Sequence, residues 1–148
     1  NYSAHPHSRA GAAVSAMKCG LLPLSQHAGL IMPTVCIHPY QDVTTAEDEC
    51  EALAKDIGEN FAMIMENHGL LACGRSIGEC FYYLYYLETA CKIQVDVLAS
   101  GQEPLLLSEK IVDGLFTDGD VPKNEPSGAE DWKPQLRWVD RNMPGYRD

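Results

Sequence analysis

Residues 5–25, HPHSRAGAAVSAMKCGLLPLS, are the stretch that decides the expected fold. Residues 1–4 before them resemble the end of a strand, so His5 and His7 lie at or just past that end. In an extended segment, residues i and i+2 point to the same side, so both imidazoles can reach one ion. A helix is predicted next, over residues 8–19, because apolar side chains recur there at helical spacing (Ala10, Ala13, Val14, Met17).

A second informative stretch lies in the middle of the chain. Residues 61–65 are apolar and predict a buried strand, residues 67–69 (Asn-His-Gly) predict a tight turn, and residues 70–73 predict the returning strand. Residues 76–79 (Ser-Ile-Gly-Glu) fit a capping box. They are expected to open the longest helix of the chain, over residues 77–99.

The rest of the chain gives weaker signals. A strand is expected at residues 34–37, and a capping box at residues 44–47 predicts a helix that ends at Gly58. Residues 117–127 are rich in Asp, Gly, Pro and Asn, which predicts a mobile loop. A last helix is expected over residues 132–142.

The long helix carries the tyrosine-rich segment Tyr82–Tyr86, which covers most of its circumference. A helix that is apolar on most faces is buried on more than one side. This predicts either a contact between subunits in addition to a core contact, or a plain core helix with amphipathic tyrosines, and the pattern favours neither.

Composition restricts the classes of function. The chain has 148 residues, enough for one domain with a core, and its net charge of −10 argues against nucleic acid or an anionic membrane as partner. An anionic small substrate stays compatible, because a metal ion can supply local positive charge. The six cysteines form no CxxC pair, and most have apolar neighbours. We therefore expect reduced core cysteines in a cytoplasmic protein.

The histidines are the candidate chemical groups. His68 lies at the predicted turn, beside Gly69, and could join His5 and His7. Three neutral imidazoles around one ion, with a fourth position open, are the arrangement of a catalytic zinc site. Spacing alone leaves a second interpretation open, because an isolated H-x-H pair is more often two surface or capping histidines.

Three blocks in this order resemble the class II aldolase/adducin family. Residues 5–25 are similar to its zinc-ligand strand and following helix, and residues 10–23 are especially similar to the adducin branch. Residues 66–94 (ENHGLLACGRSIGECFYYLYYLETACKIQ) resemble its second block. Residues 138–148 (WVDRNMPGYRD) resemble its C-terminal segment.

The resemblance implies an α/β fold, with three α/β/α layers around a mostly antiparallel sheet. It also implies His5, His7 and His68 as ligands of zinc or another divalent metal. The implied activity is that of an aldolase-type lyase acting on a small sugar phosphate or related hydroxycarbonyl compound. The ion would act as a Lewis acid on the substrate, and the family commonly forms homotetramers with sites between subunits.

The resemblance also implies that residues 1–148 are the C-terminal portion of such a domain. The family's aldolases carry a glutamate that shuttles a proton, and a glycine-rich phosphate loop, both upstream of H-x-H. The chain opens on Asn1 instead of Met, which favours a lost N-terminal part over a natural remnant. The site would then need groups that lie outside this sequence.

Several single residues depart from the family pattern. His27 aligns near a tyrosine that, in fuculose-phosphate aldolases, reaches a neighbouring subunit's site. It is a weak candidate for acid–base catalysis, and a position in an interfacial loop is the preferred interpretation. His38 is expected to bond a nearby loop instead of binding metal. Glu66 is expected to be a solvated carboxylate or a partner of His68. Residues 28–32 contain no acid, which argues against epimerase and dehydratase chemistry.

Two other functions stay open at this stage. One is a non-catalytic, adducin-like assembly module, which the similarity of residues 10–23 supports. The other is a different metal-dependent reaction on the same scaffold, such as a decarboxylation.

Overall fold

A four-stranded sheet with strand order β1-β4-β3-β2 forms the centre of the computed structural model, which describes residues 2–41, 46–117 and 126–147. The strands are β1 (Tyr2–Ala4), β2 (Val35–His38), β3 (Ala62–Met65) and β4 (Gly69–Gly74). β4 pairs antiparallel with both β1 and β3, and β2 runs parallel to β3. The expected mostly antiparallel sheet is confirmed.

Helices cover both faces of this sheet, as the three-layer prediction requires. They are α1 (Arg9–Ser15), α2 (Gln26–Gly29), α3 (Ala46–Ile57), α4 (Ile77–Ala99), α5 (Glu109–Thr117) and α6 (Ala129–Asn142), with 3₁₀ turns at Met32–Thr34 and Pro144–Arg147. None of the helices in the described ranges has both the length and the apolar character needed to cross a bilayer.

The main core lies between the sheet and the pair α1 and α4. Val14 of α1 and Leu87 of α4 are fully buried there, against Ile64 of β3 and Leu70 of β4. Because side chains alternate along a strand, Met63 points to the opposite face, and it is also fully buried. On that side α3 packs against β2. Both faces of β3 are therefore covered.

Helix α1 is shorter than the predicted range of residues 8–19. It begins as expected after Ser8, whose Oγ accepts a hydrogen bond from the Gly11 N–H at 3.1 Å. It ends at Ser15, whose carbonyl accepts a hydrogen bond at 3.0 Å from the N–H of Asn67 in the distant β3–β4 turn. The carbonyl that would continue the helix is thus occupied by a tertiary contact.

The predicted strands and the other predicted helices agree with the structure within a few residues, whereas α2 and α5 were not predicted. Helix α4 has the predicted bounds, and Ser76 Oγ accepts from the Glu79 N–H at 3.1 Å. The second half of the capping box is wrong, because Glu79 accepts from the Arg75 N–H at 2.6 Å instead of returning to Ser76. The last helix begins at Ala129, three residues earlier than predicted. The predicted capping threonines Thr44 and Thr45, and most of the predicted loop 117–127, lie outside the described residues.

The cysteines only partly follow their expected placement. All six thiols are free, and Cys80 and Cys91 are buried. Burial raises the pKa of Cys91 to about 12, so this thiol stays protonated and inert. Core placement is wrong for Cys19 and Cys50, which are exposed.

Gln94 is fully buried in α4 and joins that helix to the loop after α1. Its Oε1 accepts from the Leu22 N–H at 2.7 Å, and its Nε2 donates to the Gly20 carbonyl at 2.8 Å. The substitution Gln94→Leu keeps the volume but leaves both buried backbone groups without a partner. We expect it to lower the free energy of unfolding by about 2–4 kcal/mol, measured by urea denaturation.

The matched control is Gln102→Leu, at an exposed position beyond α4. It should change the free energy of unfolding by less than about 0.5 kcal/mol. Equal effects of the two substitutions would show that the buried bonds of Gln94 contribute nothing measurable.

Candidate metal centre

Three histidines meet at one edge of the sheet. His5 and His7 follow β1, and His68 lies in the turn between β3 and β4. The Nε2 atoms of His5 and His7 are 2.7 Å apart, and those of His7 and His68 are 2.8 Å apart. One ligand atom from each of the three rings lies within 4.8 Å of the others. The structure thus brings together the three residues predicted as ligands, and their role as ligands stays a prediction.

Pairing with β4 positions the H-x-H segment. The Leu70 N–H donates to the Pro6 carbonyl at 3.3 Å, which extends the β1–β4 pairing past the last assigned residue of β1. His5 Nδ1 lies 2.7 Å from the Leu70 carbonyl, so Nδ1 carries the proton and donates. Gly69 permits this approach, because a Cβ there would lie 2.7 Å from the Pro6 carbonyl oxygen.

A constrained turn presents His68. Asn67 has a φ of 53°, in the left-handed region that asparagine tolerates better than most residues. The Asn67 N–H donates to Ser15 of α1, and the Glu66 N–H donates to the carbonyl of His38 at 2.8 Å. The turn is therefore attached to both α1 and β2, which fixes the backbone that carries the His68 ring.

The three neutral imidazoles do not have enough protons to form hydrogen bonds at both of their short contacts. Each imidazole nitrogen has either a proton or a lone pair. His5 has its proton on Nδ1, so its Nε2 offers a lone pair to the cluster. His7 Nε2 has close contacts with the Nε2 atoms of both His5 and His68. In a neutral ring this nitrogen is either a donor or an acceptor, so it cannot form a well-directed hydrogen bond to both neighbours. A cation at the centre would accept all three lone pairs.

The donor set fits a divalent metal such as zinc. Tetrahedral zinc with three imidazoles places the nitrogens about 3.3 Å apart, so small ring movements would suffice. Burial first, and then the neighbouring His5 and His7, lower the pKa of His68. The ring is therefore neutral near physiological pH, the state in which imidazole binds a metal.

A carboxylate on α4 anchors the segment that carries His7. Ser8 Oγ caps α1 and also donates a short hydrogen bond to Glu88 Oε2. Glu88 in turn forms an ion pair with Lys92 at 3.2 Å. Because Ser8 directly follows His7, this contact restricts where the His7 ring can lie.

We expect Glu88→Ala to weaken zinc binding about 10-fold, because groups that orient ligands typically contribute 10- to 100-fold in affinity. Competition with a chromogenic chelator measures this. Glu88→Gln keeps an acceptor for the Ser8 hydroxyl and should restore most of the affinity. Lys92→Ala removes only the exposed partner and should have little effect, and a loss equal to that of Glu88→Ala would assign the effect to the ion pair instead.

The other singled-out residues lie elsewhere. His38 is buried and its Nδ1 lies 2.7 Å from Asp56 Oδ2, so it has a structural role as predicted, with a helix instead of a loop as partner. His27 lies in α2, with its ring 5.8 Å from that of Tyr86, and its catalytic role stays a prediction. Glu66 is exposed and follows the end of β3, so strand alternation does not place it beside His68.

One carboxylate near the cluster was missed by sequence reasoning. The negative charge of Glu49, in the first turn of α3, acts on His68 and opposes the lowering of its pKa. Eighteen residues lie between the two in the sequence, and the packing of α3 against the sheet brings them near each other. The sequence offered a single hint, namely that Glu49 lies in an acidic helix start.

Comparison with known proteins agrees with this geometry. Residues 1–95 match the family model described as the class II aldolase and adducin N-terminal domain. A Caulobacter vibrioides protein, provisionally named an aldolase class 2 protein, is 34% identical over 148 residues, which are 100% of this chain and 58% of the relative. Rat alpha-adducin is 46% identical over 129 residues, covering 84% of this chain and 17% of the adducin.

Among solved structures, an aldolase II superfamily protein from Pseudomonas syringae superposes with a TM-score of 0.87 at 35% identity. The match covers 99% of this chain and 59% of that protein. The chain thus spans 58% of its Caulobacter relative and 59% of the Pseudomonas protein. A family match over most of the chain and a closely similar fold agree with each other, and the chain belongs to the class II aldolase/adducin family.

Proposed function

We propose that the protein is a metal-dependent lyase of the aldolase type, with zinc or another divalent ion held by His5, His7 and His68. The observation that carries this proposal is the convergence of three Nε2 atoms, with separations of 2.7 and 2.8 Å for the two closest pairs. A purely structural role explains these rings less well, because two of them are exposed, all three lie close together, and neutral rings have too few protons to hydrogen-bond one another.

The chain's own residues would hold the site rigid. Leu70 orients His5 through its carbonyl, Ser8 holds the segment after His7, and the β3–β4 turn holds His68. The bound ion would supply Lewis acidity, which stabilises negative charge that develops on a substrate oxygen when a carbon–carbon bond breaks. Ligands on constrained elements need no rearrangement during the reaction.

The proposed substrate is a small sugar phosphate or related hydroxycarbonyl compound. Arg9, in the first turn of α1, lies exposed two residues after His7 and offers positive charge near the site. Since the chain spans only part of its relatives, the proposal concerns the whole protein to which it belongs. His27 is included as a proton-transfer group supplied to a neighbouring subunit's site.

The direct test is a cleavage assay on a panel of ketose 1-phosphates, with coupled detection of the ketone product. Activity should disappear with a chelator and return when zinc, cobalt or manganese is added. A protein that contains one equivalent of metal but cleaves none of these substrates would contradict the lyase proposal. Release of carbon dioxide from a hydroxy acid would favour a decarboxylase on the same scaffold.

The second candidate is a non-catalytic, adducin-like assembly module. It is favoured by the identity to rat alpha-adducin, which at 46% exceeds the 34% to the Caulobacter protein. Metal content distinguishes the two candidates. A folded protein that binds no divalent metal at neutral pH would contradict the lyase proposal and support the assembly module.

We further propose a cytoplasmic homotetramer. The free state of all six cysteines supports a reducing compartment. Apolar side chains exposed after α4 could form subunit contacts, since Leu105 is 91% exposed and Ile111 is 49% exposed. Light scattering coupled to gel filtration would test the assembly, and a monomer at micromolar concentration would contradict it.

A further inference from the structure

An aromatic pocket separates α4 from α6, apart from the histidine cluster. Its volume is about 210 Å³. Five aromatic rings line it: Phe81, Tyr82, Tyr85, Tyr86 and Trp132. Gly128, before α6, permits the close approach of the two helices, because a Cβ there would lie 2.6 Å from the Cβ of Tyr82.

The five rings form a continuous wall. The ring centroids of Trp132 and Phe81 are 5.5 Å apart, those of Phe81 and Tyr85 are 6.1 Å apart, and those of Tyr85 and Tyr86 are 5.4 Å apart. Tyr82 extends the wall at 4.6 Å from Tyr86. Phe81 is 39% exposed and Tyr85 is 51% exposed, so a molecule from solvent can reach these two rings.

The described lining of the pocket also carries one negative charge. Asp131 of α6 lies on its wall, and the lining residues include no lysine or arginine. Within the described part of the chain, no basic side chain forms an ion pair with Asp131. Burial first, then Tyr86, Tyr83 and Asp131, raise the pKa of Tyr82 to about 12, so its phenol is neutral at physiological pH. His27 approaches Tyr86 from α2 and does not line the pocket.

We propose that this aromatic pocket binds a small organic cation with a quaternary ammonium group. The faces of aromatic rings carry negative electrostatic potential, and several rings around one cation recognise quaternary ammonium groups. Asp131 adds a full negative charge at the wall, and the net charge of −10 attracts cations to the whole surface. A neutral molecule of the same shape would gain only the apolar contacts.

Comparing the affinities of choline and its neutral isostere 3,3-dimethylbutan-1-ol distinguishes the contribution of the positive charge from that of molecular shape. The chain has two tryptophans, so a Trp138→Phe background leaves Trp132 in the pocket as the fluorescent reporter. We expect saturable quenching by choline, with an affinity about 2- to 30-fold higher than that for the isostere, as cation–π energies imply. Equal affinities, or no binding of choline, would overturn the proposal.

Variants locate the binding. Phe81→Ala and Asp131→Asn should each lower the affinity for choline several-fold. Glu130→Gln removes a neighbouring carboxylate of α6 that pairs with Lys133 and does not line the pocket, so it should leave the affinity unchanged. An equal loss in Asp131→Asn and Glu130→Gln would show that the affinity depends only on general surface charge, and it would overturn the proposal. Fluorescence that depends on protein concentration but not on choline would assign the pocket to a subunit contact and overturn the proposal.

Discussion

A chain carrying His68→Ala is expected to lose at least about 100-fold in affinity for zinc, measured by competition with a chromogenic chelator. The reason is that His68 supplies one of three converging nitrogens, 2.8 Å from His7 Nε2. Two imidazoles form a weaker site than three. The increase in melting temperature that zinc gives the unaltered chain should also disappear.

The same substitution should leave the metal-free fold intact. Backbone hydrogen bonds hold the turn around His68, including those from Asn67 to Ser15 and from Leu70 to Pro6, and none of them involves the imidazole. In the presence of a chelator, the melting temperature of His68→Ala should therefore match that of the unaltered chain.

His27→Ala is the matched control, because this histidine lies in α2 beside Tyr86 and outside the cluster. Its affinity for zinc should equal that of the unaltered chain, whatever happens to activity. Unchanged zinc affinity in His68→Ala, or an equal loss in both variants, would contradict the assignment of the three ligands.

The sequence supported the metal centre in part. Local rules placed His5 and His7 on one side of an extended segment and put His68 at a turn beside a glycine. They could not show that β1 pairs with β4, and that pairing is what brings the two parts together across more than sixty residues. The family resemblance supplied this long-range information before the structure did.

Other features were beyond local rules for the same physical reason. Helix α1 ends early because Ser15 accepts a hydrogen bond from the distant Asn67. Glu49 acts on His68 only because α3 packs against the sheet. Helix α4, whose bounds were predicted well, depends mainly on its own cap and apolar spacing. The bounds of α4 were therefore predictable from local interactions, whereas the end of α1 and the approach of Glu49 to His68 depend on tertiary contacts.

Glu79 shows how a local motif can acquire a tertiary role. Its carboxylate is fully buried and accepts from the Arg75 backbone N–H at 2.6 Å and from the Arg75 guanidinium at 2.6 Å. It also accepts from the Ser127 N–H at 3.1 Å, just before α6. One carboxylate therefore joins the end of β4, the start of α4 and the segment that leads into α6.

We expect Glu79→Gln to lower the free energy of unfolding by about 3 kcal/mol at neutral pH, measured by urea denaturation. The NH₂ group of glutamine would face N–H donors of Arg75 and Ser127 instead of accepting from them. The substitution also removes a buried negative charge that these hydrogen bonds stabilise. Glu130→Gln is the control, because that side chain is 81% exposed and its pair with Lys133 should contribute less than about 0.5 kcal/mol. Equal losses in both would contradict the role assigned to the buried network.

The effect of Glu79→Gln should also depend on pH. Burial raises the pKa of Glu79, but the bonds from Arg75 and Ser127 lower it more, so the pKa in the folded chain is below its ordinary value. The unfolded chain, with a glutamate pKa of about 4.3, then binds the proton more tightly than the folded one. This stabilisation is complete well above pH 4.3 and is lost as the pH falls through the folded pKa. The stability difference between the two chains should therefore narrow in urea titrations from neutral pH down to about pH 3, and a constant difference would show that the charge of Glu79 is not its cause.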